Sequence, residues 1–96
     1  VIKATHYRDR NTFLADRKAG SFWIGDPDEN GSQNFIFFCP CGCEAKLVLT
    51  VGNGFKPRYG PSWCWNGSTS EPELSPSVNW EGHWHGWLRG GSWRPC

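Results

Sequence analysis

Apolar positions along the chain come in short bursts, and clusters of Gly, Pro, Asn and Ser separate them. Residues 21–24 (SFWI) read as a short strand. Residues 26–32 (DPDENGS) read as a dense turn, where Pro and Asn-Gly supply the backbone angles a reversal needs. Residues 34–38 (NFIFF) form the clearest strand, apolar on both faces, which predicts a central position in a sheet. Residues 45–51 (AKLVLTV) predict its hairpin partner. Further short strands are predicted at residues 63–65 and 77–80, and at residues 83–88, which pair with residues 92–94 through Arg89-Gly90-Gly91. Helical periodicity is absent apart from room for a turn or two around residues 11–18. The pattern predicts a small all-β domain, an antiparallel sheet or sandwich over residues 19–96. A polar arm over residues 1–18 precedes it, extended or packed on the sheet or on a partner.

Size and composition qualify this picture. A chain of 96 residues is one domain, and so short a chain buries a limited fraction of its surface. Its apolar content is aromatic rather than aliphatic, with seven Trp and six Phe and no Met. Six of the Trp fall between residues 63 and 93, too many for all to be deeply buried in so small a domain. A Trp-filled core takes some of them. Trp63, Trp65 and Trp87 are the candidates for an aromatic binding surface.

Charge removes some partners. Ten basic and nine acidic residues leave a net charge of +1, so no strong field steers the chain to nucleic acid or an anionic membrane. Arg89 and Arg94 alone do not make a nucleic-acid groove. No run of about 18 apolar residues predicts a membrane helix, and residues 1–10 lack the apolar core of a signal peptide.

The candidate chemistry lies in two clusters. Cys39-Pro40-Cys41-Gly42-Cys43 directly follows the central strand, and His83-Trp84-His85 comes about forty residues later. Cysteines so close in sequence are poorly placed to bridge one another, because a disulfide needs a particular Cα separation and torsion. The odd total of five cysteines also argues against a disulfide framework. They are well suited to point at one metal ion. Zinc takes four ligands in a tetrahedron, and thiolate and imidazole are its usual structural partners. Pro40 bends the turn, and Gly42 permits the positive φ that turns amides inward. The candidate ligands are Cys39, Cys41, Cys43, His83 and His85. On a strand, His83, His85 and Trp87 share one face, and Trp84, Gly86 and Leu88 the other. Of the two histidines, His85 is the preferred ligand, because Gly86 beside it leaves room for close approach. Cys64, between two Trp, reads as a buried thiol, and Cys96 as a frayed end or a fourth ligand. A thiolate-rich site argues for a structural zinc, since thiolates blunt Lewis acidity and no deaminase-type H-x-E with P-C-x-x-C is present.

The order FxCPCGC (residues 37–43), an alternating strand (residues 47–51), Trp63, LxPSV (residues 74–78) and HWHGWLxxG (residues 83–91) resembles a family of short bacterial and phage proteins. The resemblance covers roughly residues 20–94 and implies a small zinc-binding β domain. Some members carry an "ammonia monooxygenase" label, for which these residues give no chemical basis. Many relatives have a Cys three residues before the equivalent of His85. Gly82 stands there in this chain, so His83 or Cys96 is expected to compensate.

Together these observations favour a non-enzymatic, zinc-stabilised phage or bacterial protein that binds another protein, as a virion component or as a factor acting in the host cytoplasm. A metal-dependent enzyme acting on a small or nucleotide ligand is the alternative. A glycan-binding module using Trp63, Trp65 or Trp87 as stacking platforms is the third reading.

Overall fold

A computed structural model describes residues 1–96. Ten strands and one helix follow in the order β1 (Ile2–Lys3), β2 (Thr5–His6), α1 (Arg10–Asp16), β3 (Ser21–Ile24), β4 (Ser32–Phe38), β5 (Lys46–Asn53), β6 (Trp63–Trp65), β7 (Leu74–Ser75), β8 (Val78–Trp80), β9 (Trp84–Arg89) and β10 (Ser92–Pro95). They form a six-stranded sheet, β2-β3-β4-β5-β6-β7, and a four-stranded sheet, β1-β10-β9-β8. The fold is all-β, as the alternation of short apolar bursts and turns predicts. It is not wholly antiparallel, because β2 pairs parallel to β3 and β5 parallel to β6.

Strand β4 lies between β3 and β5 and uses both of its faces. Phe35 and Phe37 point toward the four-stranded sheet and are fully buried. Phe22 stacks on Phe35 with ring centroids 4.9 Å apart, and Phe37 stacks on Trp93 of β10 at 4.5 Å. Trp93 is fully enclosed, and its indole N–H donates to the Gly20 carbonyl at 2.9 Å. Burying so large a ring therefore leaves no polar group orphaned. Leu49, Val51, Leu74, Val78 and Leu88 complete this core.

Ile36 and Phe38, on the other face of β4, pack with Phe13 of α1. The helix is short. Asp9 caps it by accepting from the Thr12 amide and hydroxyl, and Arg17 closes it in the left-handed conformation. Residues 1–18, expected as an arm, thus belong to the packed structure: β1 extends one sheet, β2 extends the other, and Phe13 is fully buried. Helical periodicity was invisible in this stretch because α1 has seven residues and a single buried side chain. No helix is long and apolar enough to cross a membrane.

Candidate functional site

The hairpin that joins β4 to β5 carries the three cysteines. Cys39 N–H donates to the Ala45 carbonyl, and Gly42 N–H donates to the Cys39 carbonyl. The turn closes with Gly42 at φ +87°, the left-handed conformation its sequence predicts. The three Sγ atoms lie within 4.8 Å of one another, and Cys39 Sγ is 3.0 Å from Cys41 Sγ. That separation is far longer than a disulfide bond of about 2.05 Å. All five cysteines are free.

At the neighbouring end of the four-stranded sheet, β8 turns into β9 through residues 81–83. Gly82 takes φ +78°, and His83 N–H donates to the Trp80 carbonyl. This tight turn swings His83 toward the cysteines: its Nδ1 lies 3.5 Å from Cys43 Sγ. Its ring stacks on Trp80, 4.5 Å between centroids. His83 thus stands next to the Gly82 position where relatives are expected to carry a cysteine.

The donor set fits a zinc ion. Bond lengths of about 2.3 Å to sulfur and 2.0–2.1 Å to nitrogen put sulfur and nitrogen ligands about 3.6 Å apart on a tetrahedral ion. The Cys43–His83 separation matches that edge. Two sulfur ligands stand about 3.8 Å apart in the same geometry, so Cys39 and Cys41 open by roughly 0.8 Å to span it. Cys39 is fully buried, whereas Cys41 and Cys43 are exposed. Burial, followed by the contact with Cys41, pushes the Cys39 thiol up to about 12. The Cys39 and Cys43 contacts pull Cys41 down.

His85 stands apart from this cluster. It lies on the outer face of β9, exposed, opposite Asn79 of β8. The alternation predicted for this strand is present: Gly86 and Leu88 are buried, and Trp84 packs against the core. Gly86 is glycine for a reason other than access to His85. A Cβ there would strike the Arg94 carbonyl of β10 and the Trp84 ring. Cys96 keeps an exposed thiol, and its backbone N–H donates to the His85 carbonyl.

The three tryptophans have separate fates. Trp65 is only 5% exposed, and its indole N–H donates to the Ser68 carbonyl. Trp63 is half-buried and donates to the Ser77 carbonyl. Trp87 is half-buried on the outer face of β9, with the Arg89 guanidinium 4.4 Å from its ring centroid. Cys64 is half-buried.

One side chain not singled out from sequence, Asn79, stands opposite His85, and Ser77 comes directly before the same strand. The β8–β9 register pairs Val78 with Gly86 and Asn79 with His85, so the residue before Val78 falls opposite Trp87. That residue is Ser77, half-buried and diagonal to His85. Diagonal neighbours on an antiparallel pair are about 7–8 Å apart at Cα, within reach of a long side chain.

Four other serines have partners of their own. Ser21 is buried and donates to the Lys18 carbonyl. Ser62 accepts from Lys56 Nζ at 3.1 Å, but it is 3% exposed and its hydroxyl donates to the Pro57 carbonyl. Ser68 and Ser70 contact each other.

A two-sheet β domain with a cysteine-rich hairpin and an exposed histidine strand is thus the class that fold and site define. The chain belongs to the family described as "BubE: Bacterial ubiquitination-like system serine protease", whose model matches residues 8–96. It is therefore a component of a bacterial system. Comparison of the chain with curated proteins and with solved structures gives no match.

Proposed function

We propose that this chain is a serine peptidase of a bacterial ubiquitination-like system, with Ser77 as nucleophile and His85 as general base. The supporting observation is the β8–β9 register, which, continued one residue beyond the start of β8, sets Ser77 diagonal to His85. A serine hydroxyl is a weak nucleophile until an adjacent base takes its proton, and a third group often orients that base. Asn79, directly opposite His85, is in position to hold the imidazole. In this reading Ser77 Oγ attacks the peptide carbonyl while His85 accepts the hydroxyl proton. His85 then passes that proton to the leaving amine as the C–N bond breaks. Water, deprotonated by the same imidazole, hydrolyses the resulting ester and restores Ser77.

Zinc on Cys39, Cys41, Cys43 and His83 supplies structural bracing in this account. The chemistry of the donor set, three thiolates and one imidazole, is that of a closed structural site. It ties the β4–β5 hairpin to the β8–β9 turn and fixes the strand that carries His85.

A non-enzymatic protein that binds another protein is the second reading. It is favoured by one observation: the only side-chain hydrogen-bond partner of a histidine ring is Cys43, for His83, so Ser77 and His85 are not hydrogen-bonded to each other. Catalytic hydrogen bonds are often long before substrate binds, which keeps the peptidase reading ahead.

The test is hydrolysis of a proteome-derived peptide mixture, read by mass spectrometry. New termini with the unmodified protein, absent with Ser77→Ala, support the peptidase. Identical peptide profiles for the two proteins leave the binding reading.

A further inference from the structure

Beyond the candidate catalytic pair, a cleft of about 220 Å³ opens between the β6–β7 pair and the end of β9. At about 30 Å³ per water in the liquid, it has room for about seven waters, the size of one amino-acid side chain. Trp65 and Leu74 supply its apolar wall, and Asn66, Glu73, Ser75 and Arg89 its polar groups.

Two of those four polar side chains, Asn66 and Glu73, are already engaged, as is the Trp65 indole. Trp65 Nε1 donates to the Ser68 carbonyl. Asn66 donates to the Glu71 carbonyl and accepts from the Ser68 and Glu73 amides. Glu73 Oε2 accepts from the Gly90 amide at 2.9 Å. Arg89 is different. The one ion pair of the protein joins Arg17 to Glu44, and the Arg89 guanidinium has no acceptor. Its Cζ rests over the Trp87 ring, 4.4 Å from the centroid, a contact that leaves its N–H groups unused. The Ser75 hydroxyl, exposed at the rim, is also unpartnered.

A guanidinium with free donors, in one cleft with a free hydroxyl, matches one chemical group above others. Carboxylates accept paired N–H bonds from an arginine fork in a charge-assisted geometry. We infer that the cleft is a subsite for a carboxylate of a peptide ligand, with Arg89 and Ser75 as its receptors. Its position relates it to Ser77, an inference that rests on the peptidase reading. Along β9, Arg89 lies two residues beyond Trp87, the residue that the β8–β9 register, continued one residue, sets opposite Ser77, while Ser75 ends β7 of the other sheet. One such step along a strand is about 6.7 Å. An extended peptide repeats its same-side side chains at the same interval. A peptide whose carbonyl meets Ser77 therefore carries a neighbouring side chain, or its own terminus, over the cleft.

The test uses the full chain carrying Ser77→Ala, so that bound peptide stays intact, and follows ¹H–¹⁵N NMR signals during titration. Three probes are compared: an acetylated, amidated alanine peptide containing one Glu, the same peptide with Gln, and acetyl-tetra-alanine with a free C-terminus. Shifts of the Trp65 indole and Arg89 signals with the Glu peptide mark a side-chain carboxylate, and shifts with the free terminus mark a chain end. Either supports the subsite if the Gln peptide binds at least about tenfold more weakly and Arg89→Gln removes the difference. Equal binding of all three probes, or shifts confined to other surfaces, overturns it. Because this readout is binding, it succeeds or fails independently of whether the unmodified protein cleaves peptides.

Discussion

His83 Nδ1 stands 3.5 Å from Cys43 Sγ across forty residues of chain, and this contact joins a turn of one sheet to a hairpin of the other. The two sheets otherwise meet through aromatic packing centred on Phe37 and Trp93. A metal ion bound at this junction would cross-link the sandwich at one end. His83 lies in the turn that leads into β9, two residues before His85 on that strand.

Metal binding follows first. Native mass spectrometry is expected to show one zinc per chain, lost on chelation, with a lower melting temperature for the stripped protein. Cys39→Ser and His83→Ala should each weaken retention of the metal, whereas His85→Ala should leave it in place. Equal retention by His83→Ala and the unmodified protein would remove His83 from the ligand set.

His85→Ala is predicted to separate chemistry from structure. Loss of a general base costs about 10²–10⁴-fold in rate, while an exposed side chain leaves the core untouched. The expected result is a peptidase rate reduced by that factor, with unchanged circular dichroism and zinc content. A rate within twofold of the unmodified protein would contradict the assignment.

Strand β9 owes its close approach to β10 to Gly86. A methyl group at this position meets the Arg94 carbonyl, the Trp84 ring and Pro95, so Gly86→Ala forces backbone to move. Overpacking of this kind costs typically about 1–3 kcal/mol, and chemical denaturation should register it. No loss of stability would mean that β9 and β10 separate more easily than their register implies.

Helix α1 is expected to be acid-sensitive. Hydrogen bonds from the Thr12 hydroxyl and amide hold the Asp9 carboxyl below its ordinary value of 3.8. A depressed carboxylate contributes stability that is present above the unfolded value and is lost as pH falls through the lower folded value. Amide exchange in α1 should therefore accelerate below about pH 3.8, relative to the β4–β5 ladder, and Asp9→Ala should abolish that difference. The same acid response in both proteins would show that the cap does not govern the helix.

Much of this architecture was legible in the residues because side-chain alternation reports burial directly. Asn34-Phe35-Ile36-Phe37-Phe38 is apolar on both faces, and β4 is indeed covered on both, by Trp93 on one side and Phe13 on the other. The cysteine hairpin was legible too, since spacing and a glycine turn are local. The choice between His83 and His85 was not, because it depends on a turn at Gly82 that rotates one imidazole toward the other sheet. Ser77 was silent for a related reason. It carries no nucleophile motif of its own, and only the register of β8 with β9, continued one residue, sets it diagonal to a histidine.

The most direct measurement of the central assignment is labelling of the intact protein with a fluorophosphonate, followed by mapping of the adduct by peptide mass spectrometry. An activated serine reacts, while ordinary hydroxyls do not. The account predicts a single adduct on Ser77, strongly reduced in His85→Ala and absent in Ser77→Ala. An adduct on Ser62 or another serine, or none under conditions that leave the zinc bound, would contradict it.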